Sequence, residues 1–402
     1  MNRAFWRHEL SMLIRSKKNI IFIFFLTVFV LSYCFIILPN SKSTETFDGD
    51  QLSKELQETS ATQRDREENG HTGFGHFTGV AYYAMQENYA LLHSKMITAF
   101  DDEDFRRYVH LRTYFLEQNP SSFLAEHPDM FADSPIPGKD RYHLYNQTLL
   151  RYQGYLNQDD PITNEMIEEK TAVQAIQEVF LSFATYFIVF VGIYFSSDVL
   201  VRNRQNKTLL QGLPLAWYRV LNIKTMTTFI YTLGIIFALF LLATLIISIQ
   251  NGFGSLNHPL AVMIKQGDLT LSNYKVITIG KFILLAVSFI PILVYLFIRF
   301  NILISLIVKN QWLVLFISSI ALISEQLYFS RTLRDLNGTE ISYFPQTYFD
   351  FGKIVTGEKN FLVNLESITY GKGMLVLLLT IVVIECILFL VSRIVSKRRF
   401  YQ

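Results

Sequence analysis

The sequence predicts an α-helical polytopic membrane protein. It would have six transmembrane helices, an N-terminal interfacial helix, and a mainly α-helical extracytoplasmic domain inserted between the first and second spans. Three observations carry this. Half of the 402 residues are hydrophobic and only 17% are charged, against about a quarter in soluble domains. Apolar runs of roughly twenty residues recur, each long enough, at about 1.5 Å per residue, to cross a hydrocarbon core about 30 Å thick. Lysine and arginine collect in alternate intervals between those runs.

Residues 1–18 place Arg3, Arg7, Ser11, Arg15 and Lys18 on one helical face and Trp6, Leu10, Leu13 and Ile14 on the other. That pattern suits an amphipathic helix lying in the membrane surface with its bases toward anionic lipid. The first span is placed at 19–38, on the 19 uncharged residues 20–38 that precede Pro39. A cleaved signal peptide would carry a shorter apolar stretch, about 7–15 residues, and a small-residue cleavage site, so the span is expected to be retained. The second span is placed at 173–198, the third at 223–250, the fourth at 276–300 with Pro291 inside it, the fifth at 308–329 and the sixth at 373–394. The stretch Arg299 to Lys309 reads either as a tight turn or as the end of a long fourth helix. Cys34 and Cys386 both lie in apolar runs, which leaves no disulfide framework and no zinc-type spacing.

Orientation follows from the short loops. Arg3, Arg7, Arg15, Lys17 and Lys18 precede the first span; Arg202, Arg204, Lys207, Arg219 and Lys224 lie between the second and third; Arg299 and Lys309 flank the next turn; Lys397-Arg398-Arg399 closes the chain. Six alternating spans put all four groups on one side, which the positive-inside rule makes cytoplasmic, as it does both termini. The intervals 39–172 and 330–372 then face outward. Residues 41–172 carry 12 basic and 23 acidic residues, net −11, on a chain whose overall charge is +2. An acidic domain of this kind suits a cationic partner.

Within that domain Ser41 to Gly75 reads as a polar linker with one helix around 51–59. Helical periodicity starts at Val80, resumes over 102–118 behind an acidic start (Asp101, Asp102, Asp104) that complements the helix dipole, and returns over 141–156. Pro120 to Gly138 reads as a loop. Thr163 is an N-cap for a helix that runs unbroken into the second span. Strand signals are weak throughout. His71, His76, His93, His110, His127 and His143 fall in the domain without HExxH or Cys partners, so they read as scattered surface histidines rather than metal ligands.

Two charges fall within apolar runs: Glu385, inside the sixth span, and Arg299, at the end of the fourth. Membrane charges are costly and usually paired, and both residues fall in the inner half of the bilayer, so a Glu385–Arg299 contact is expected. The sequence holds no P-loop, GxSxG or HExxH pattern, and no catalytic residue is assigned. Any ATP-driven step must use another chain.

The interval SSDVLVRNRQNKTLLQGLPLAWYRVLNIKTM, residues 196–226, combines one acid, Asp198, with five bases, a Leu-Leu, a Leu-Pro and an aromatic pair. It resembles the loop after the second span in ABC transporter permeases of the type-2 export class. In that family the loop forms a short coupling helix that docks on the ATPase. Tyr343-Phe344-Pro345-Gln346-Thr347-Tyr348-Phe349, followed by Gly352-Lys353 and Gly357, is similar to the family's external segment before the last span. The resemblance covers nearly all of the membrane part; the large domain after the first span departs from many members, and a subset with such an insertion is associated with peptide or bacteriocin export and immunity. It implies a coupling segment at 199–222, contacting the ATPase through Arg202, Arg204, Lys207, Leu209, Leu210, Leu213, Pro214, Trp217 and Tyr218, where aromatic anchors are typical hot spots. It also implies that ATP and Mg bind the partner ATPase and not this chain, and that a second permease subunit, membrane lipid and an amphipathic or antimicrobial peptide cargo are partners, with no role for nucleic acid. A lipid or drug-like cargo is the alternative, as is a membrane sensor or scaffold that reads an external ligand.

Overall fold

The computed structural model describes residues 2–71, 77–118, 120, 123, 131, 133–202, 216–267, 270–395 and 400. The chain begins with α1 (Asn2–Arg15) and, after Ser16, α2 (Lys17–Asn40). Within α2 a π turn covers Tyr33–Ile37, where the amide of Leu38 reaches back five residues to the Tyr33 carbonyl. Pro39 supplies the cause: it has no N–H, and its ring crowds the carbonyl four residues earlier, so the ladder opens just before it. The helix therefore passes through Pro39 and does not stop at Leu38.

A helical unit follows: α3 (Gly49–Glu68), α4 (Phe77–Asp101), α5 (Phe105–Gln118), α6 (Pro137–Leu156) and the single turn α7 (Asn164–Ile167). Its core gathers Met96, Val109, Leu116, Leu149, Tyr152 and Ile167. Asp104, ahead of α5, accepts a bond from the amide of Arg107 at 3.1 Å and so caps that helix. The supposed linker proves to be anchored at its start. Glu45 is buried, takes two bonds from the guanidinium of Arg112 (2.9 and 3.0 Å) and one from the Tyr152 hydroxyl (3.0 Å), and Phe47 stacks on Phe100 at 3.8 Å. Burial pushes the Glu45 carboxyl up, but Arg112 and Tyr152 outweigh it and hold it below the usual range.

The unbroken helix expected from Thr163 into the second span is corrected. The Thr163 side chain does accept a bond from the amide of Met166 at 3.3 Å, but α7 ends within one turn, and Glu169 stands at φ +60°. A new helix, α8 (Ala172–Leu181), starts behind a capping box of Thr171 and Gln174, and a second break at Ser182 and Phe183 separates it from α9 (Ala184–Ser196), bent by 74°. The chain continues with α10 (Trp217–Asn251), the hairpin β1 (Pro259–Met263) and β2 (Tyr274–Thr278), and α11 (Ile279–Ile307). The hairpin is antiparallel, pairing Pro259 with Thr278 and Met263 with Tyr274. Then come α12 (Gln311–Ile323), α13 (Glu325–Tyr328), the short pair β3 (Asp335–Leu336) and β4 (Thr339–Glu340), α14 (Phe351–Val355), α15 (Glu358–Val363) and α16 (Tyr370–Ile394).

Four helices, α2, α10, α11 and α16, are long and apolar enough to cross a membrane, and the bent pair 164–181 plus 184–196 makes a fifth if counted as one span. With 13 residues α12 is about 20 Å long, short of a full hydrocarbon core. Helix α11 is the centre of the bundle: half of its apolar window is buried, against 11–17% for α2, α10 and α16. It runs without a turn through Arg299 to Ile307, which settles the two readings of that stretch in favour of the long helix. Third-span residues begin six positions earlier than expected, at Trp217, so the end of the expected loop is helix.

The helical unit is fastened to one end of the bundle. His143 meets the Tyr274 hydroxyl at 2.6 Å and stacks on Phe361 at 3.9 Å, while Arg331 holds Asp140 at 2.7 and 2.8 Å. His143 is buried, which corrects the reading of every domain histidine as a surface group; His76 and His127 lie outside the described residues.

Candidate functional site

The residues singled out between the second and third spans divide sharply. Arg204, Lys207, Leu209, Leu210, Leu213 and Pro214 lie outside the described residues. Arg202, Trp217 and Tyr218 are described, and none of them is a free anchor. Trp217, in the first turn of α10, is buried and lies 5.1 Å from the ring of Phe400. Tyr218, the next residue, turns into the bundle and donates its hydroxyl proton to Glu385 Oε2 at 2.9 Å. The helix starts early enough to carry both rings onto other elements of this chain.

What frames 203–215 is a set of charges that join its two flanks to the first two helices, α2 on the near side and α1 on the far side. On the near side Asp198, buried, pairs with Lys18 at 3.5 Å and with Arg202 at 3.9 Å; Lys18 also donates to the Tyr194 carbonyl (3.1 Å) and the Ser197 hydroxyl (2.9 Å). On the far side Lys224 of α10 pairs with Glu9 of α1 at 2.7 Å, with the two side chains 0% and 4% exposed. Glu9 is the sole acid in the first 44 residues. The face of α1 that packs inward is Phe5, Glu9 and Leu13, while Ile14 is 52% exposed. The expected apolar face is therefore rotated, because a buried lysine on α10 needs its counter-charge. Counting only bases, as the topology rule invites, passes over Glu9; its isolation among cations was the available signal.

The expected Arg299–Glu385 contact is present. Arg299 of α11, 3% exposed in its side chain, ion-pairs with Glu385 of α16 through Nε and Nη2. The remaining donors go to Thr225 Oγ1 (2.9 Å), Asn222 Oδ1 (2.9 Å) and the Tyr218 hydroxyl (3.4 Å), and Tyr295 donates to Glu385 Oε1 at 2.8 Å. Three helices, α10, α11 and α16, thus share one network. It also lies close to the loop, since Tyr218 and Asn222 are within α10's first two turns.

A second charged set lies at the opposite end, near the helical unit. Glu325 of α13 pairs with Lys359 of α15 at 2.7 Å and accepts a bond from the Tyr186 hydroxyl of α9 at 3.0 Å, all three side chains being buried. Asp350 pairs with Lys353 at 3.2 Å. The Tyr343–Phe349 segment supplies the close fit. Tyr348 is fully buried and donates to the Ser342 carbonyl at 2.7 Å, and a Cβ on Gly352 would sit 1.7 Å from the Phe180 carbonyl oxygen. Only glycine can let α14 lie that close to the end of α8.

Among the described residues no group of three His, Cys, Asp or Glu side chains could hold a metal ion. The buried charges pair with each other across helices that contact through side chains rather than through continuous backbone. Such pairs are dear to separate singly and can exchange as sets, which suits a protein that moves between packings better than one that performs covalent chemistry.

The fold and this charged interior define an α-helical membrane protein whose buried ion pairs link its spans. Over residues 3–391 the chain matches the family described as ABC-2 family transporter protein, and it belongs to that family. It is thus a permease of the ABC-2 type, a transport membrane subunit of a class that works with an ABC ATPase. No curated protein and no solved structure matches it.

Proposed function

We propose that this chain is the six-span permease subunit of an ATP-driven exporter that moves an amphipathic peptide out of the cell or its membrane. Both termini and residues 203–215 face the cytoplasm, and the unit of residues 41–172 faces outward. The observation that supports coupling most directly is the pair of anchorages around 203–215. Lys18–Asp198 precedes the segment and Glu9–Lys224 follows it, so a force applied there reaches α1, α2 and α10 together. Leu209, Leu210, Leu213 and Pro214 provide the contact with the ATPase, while Arg202, Arg204 and Lys207 steer it; Trp217 and Tyr218 transmit and do not touch. Exposed apolar side chains along the first span, such as Phe24, Phe25 and Phe29, meet lipid and a second permease subunit. The acidic outward domain suits a cationic peptide.

Co-purification with the cell's ABC ATPases tests the docking. Leu210→Asp and Leu213→Asp are expected to abolish association at normal membrane expression, and retention of the ATPase by both variants would refute it. Whole-cell labelling with an impermeant maleimide tests the orientation in a background lacking Cys34 and Cys386: Ser53→Cys should react and Asn206→Cys should not. The reverse pattern inverts the topology.

A further inference from the structure

Two cavities meet at one side chain. The first, about 310 Å³, lies between the helical unit and the bundle and is lined by Glu168, Glu169, Glu178 and Glu358 against Lys42 and Arg151. Glu169 is paired with Arg151 and Glu168 with Lys170. Glu178 and Glu358 have no ion pair among the described residues. The second cavity, about 290 Å³, is a groove between the first span, the α8–α9 break and the third span. Its wall is almost wholly apolar, with Val30, Phe187, Ile236, Leu239 and Ala243 among its residues. Glu178 lines both.

The few polar groups in the groove are unequal. The Thr244 hydroxyl is committed to the Phe240 carbonyl at 2.7 Å, and that of Ser182 to the Val179 carbonyl at 2.9 Å. The Tyr33 hydroxyl is buried and has no hydrogen-bond partner. It sits where the π turn of α2 begins, and such turns recur at functional sites. A buried hydroxyl without a partner is costly to leave unmatched, so it calls for a ligand atom. The groove thus offers an apolar slot with one buried, unpartnered phenol, and at the exposed Glu178 carboxylate it opens into a chamber with more acids than bases.

We propose that this junction binds one amphipathic cation, its apolar chain in the groove and its ammonium between the Glu178 carboxylate and the Tyr33 oxygen. A primary ammonium has three N–H donors, and both groups accept. The excess of acids disfavours an anionic lipid headgroup, and the volume, at the low end of small-molecule sites, suits a single chain or one apolar peptide segment. The inference deepens the exporter reading by naming the chemistry of its cargo, and rests on it only for what becomes of the bound molecule.

The test uses the full chain in phosphatidylcholine nanodiscs, without ATPase, and photo-crosslinking by dodecylamine, dodecanol and dodecanoate that carry the same diazirine. The amine is expected to label the groove about tenfold more than the alcohol, the usual worth of a charge-assisted bond, with adducts near Tyr33 and Val179. Glu178→Gln should bring the amine down to the alcohol's level, Tyr33→Phe should weaken it several-fold, and Ala243→Phe should displace all three probes. The conservative Glu178→Gln keeps the test decisive if Ala243→Phe does not fold. Equal labelling by amine and alcohol, or an undiminished amine preference in Glu178→Gln, overturns the site and leaves an ordinary lipid groove. Competition separates the sources: a cationic leucine-rich peptide displaces the probe if peptide amines are bound, and only alkylamine does so if the ligand is a small amphiphile. ATPase association is measured in parallel, so that loss of labelling with association intact removes this site alone, and the converse removes the coupling reading alone.

Discussion

Breaking the Arg299–Glu385 pair from its two sides should cost unequal amounts. Glu385→Leu leaves a guanidinium, 3% exposed, facing only the neutral oxygens of Thr225, Asn222 and Tyr218. An uncompensated buried charge costs about 3–5 kcal/mol, and this case belongs at the lower end because three acceptors remain. Arg299→Met leaves a carboxylate whose side chain is 24% exposed and which still receives the hydroxyls of Tyr295 and Tyr218 at 2.8 and 2.9 Å. It loses about 2 kcal/mol, the worth of a hydrogen bond to a charged group. The double variant has no orphaned charge, so it should resemble Arg299→Met rather than the sum. The cycle then returns a coupling of about 2–3 kcal/mol, at the upper end of measured pairs. Reversible unfolding in mixed micelles, with the denaturing detergent as titrant, measures all four proteins. Additivity of the two single changes to within about 0.5 kcal/mol would refute the reasoning, since it would mean that the charges do not depend on each other.

Other consequences are as direct. His143 is held neutral: burial drives its pKa down to about 4, although Asp140 opposes this and Lys139 and Arg331 assist. The unfolded chain takes up that proton near 6.5 and so binds more protons in between; stability should fall by about 3 kcal/mol as the pH drops from about 6.5 to 4, and His143→Gln should flatten that part of the profile in thermal unfolding. Lys224→Met strands Glu9, and hydrogen exchange in residues 2–15 should accelerate by roughly a hundredfold, for about 3 kcal/mol, with Glu9→Gln in the same chain restoring most of the protection. Gly352→Ala drives a Cβ into the Phe180 carbonyl and should cost about 3 kcal/mol or more, whereas Gly234→Ala, with nothing within 4 Å on α10, should be neutral or gain up to about 1 kcal/mol; folded yield of the two variants checks this.

The apolar helices were legible because the bilayer imposes one simple demand, about twenty uncharged residues in a row, and the runs at 20–38, 225–250 and 374–392 meet it visibly. Arg299 and Glu385 were legible as a pair for a related reason: opposite charges in apolar runs have few places to go. Glu9–Lys224 was not, because both residues lie beside clusters of bases that have a sufficient explanation in topology. Nor was the early start of α10, since Trp217 and Tyr218 gain their places from Phe400 and Glu385, each more than 160 positions away. The hairpin at 259–278 hid for the same reason in miniature. PLAVM is a short apolar string, and what makes it a strand is its partner across a ten-residue loop, together with the Met263 amide bonding to the Thr356 carbonyl at 2.9 Å.

The broken second span shows why local sequence could not have placed the bend and why the bend matters. Neither Ser182 nor Phe183 is a helix breaker like Gly or Pro. The two flanks, however, are held by different bodies. Above the break, Gln174 of α8 donates to the Tyr155 hydroxyl and the Met166 carbonyl at 3.0 and 2.9 Å, and the amides of Ala172 and Val173 bond the carbonyls of Gly252 and Phe253. Below it, Asn301 of α11 donates to the Ile193 carbonyl and the Ser196 hydroxyl at 2.8 and 2.6 Å, and Lys18 bonds the Tyr194 carbonyl. Each flank is tied through its backbone or a buried amide, so neither can rotate without its neighbours. Gly352 then presses the Phe180 carbonyl from the side. Between the helical unit and α9 the chain changes direction twice, at 168–171 and again at Ser182 and Phe183. Motion that couples residues 41–172 to the flanks of 203–215 through the second span passes both breaks, the second of them beside the groove that Glu178 lines.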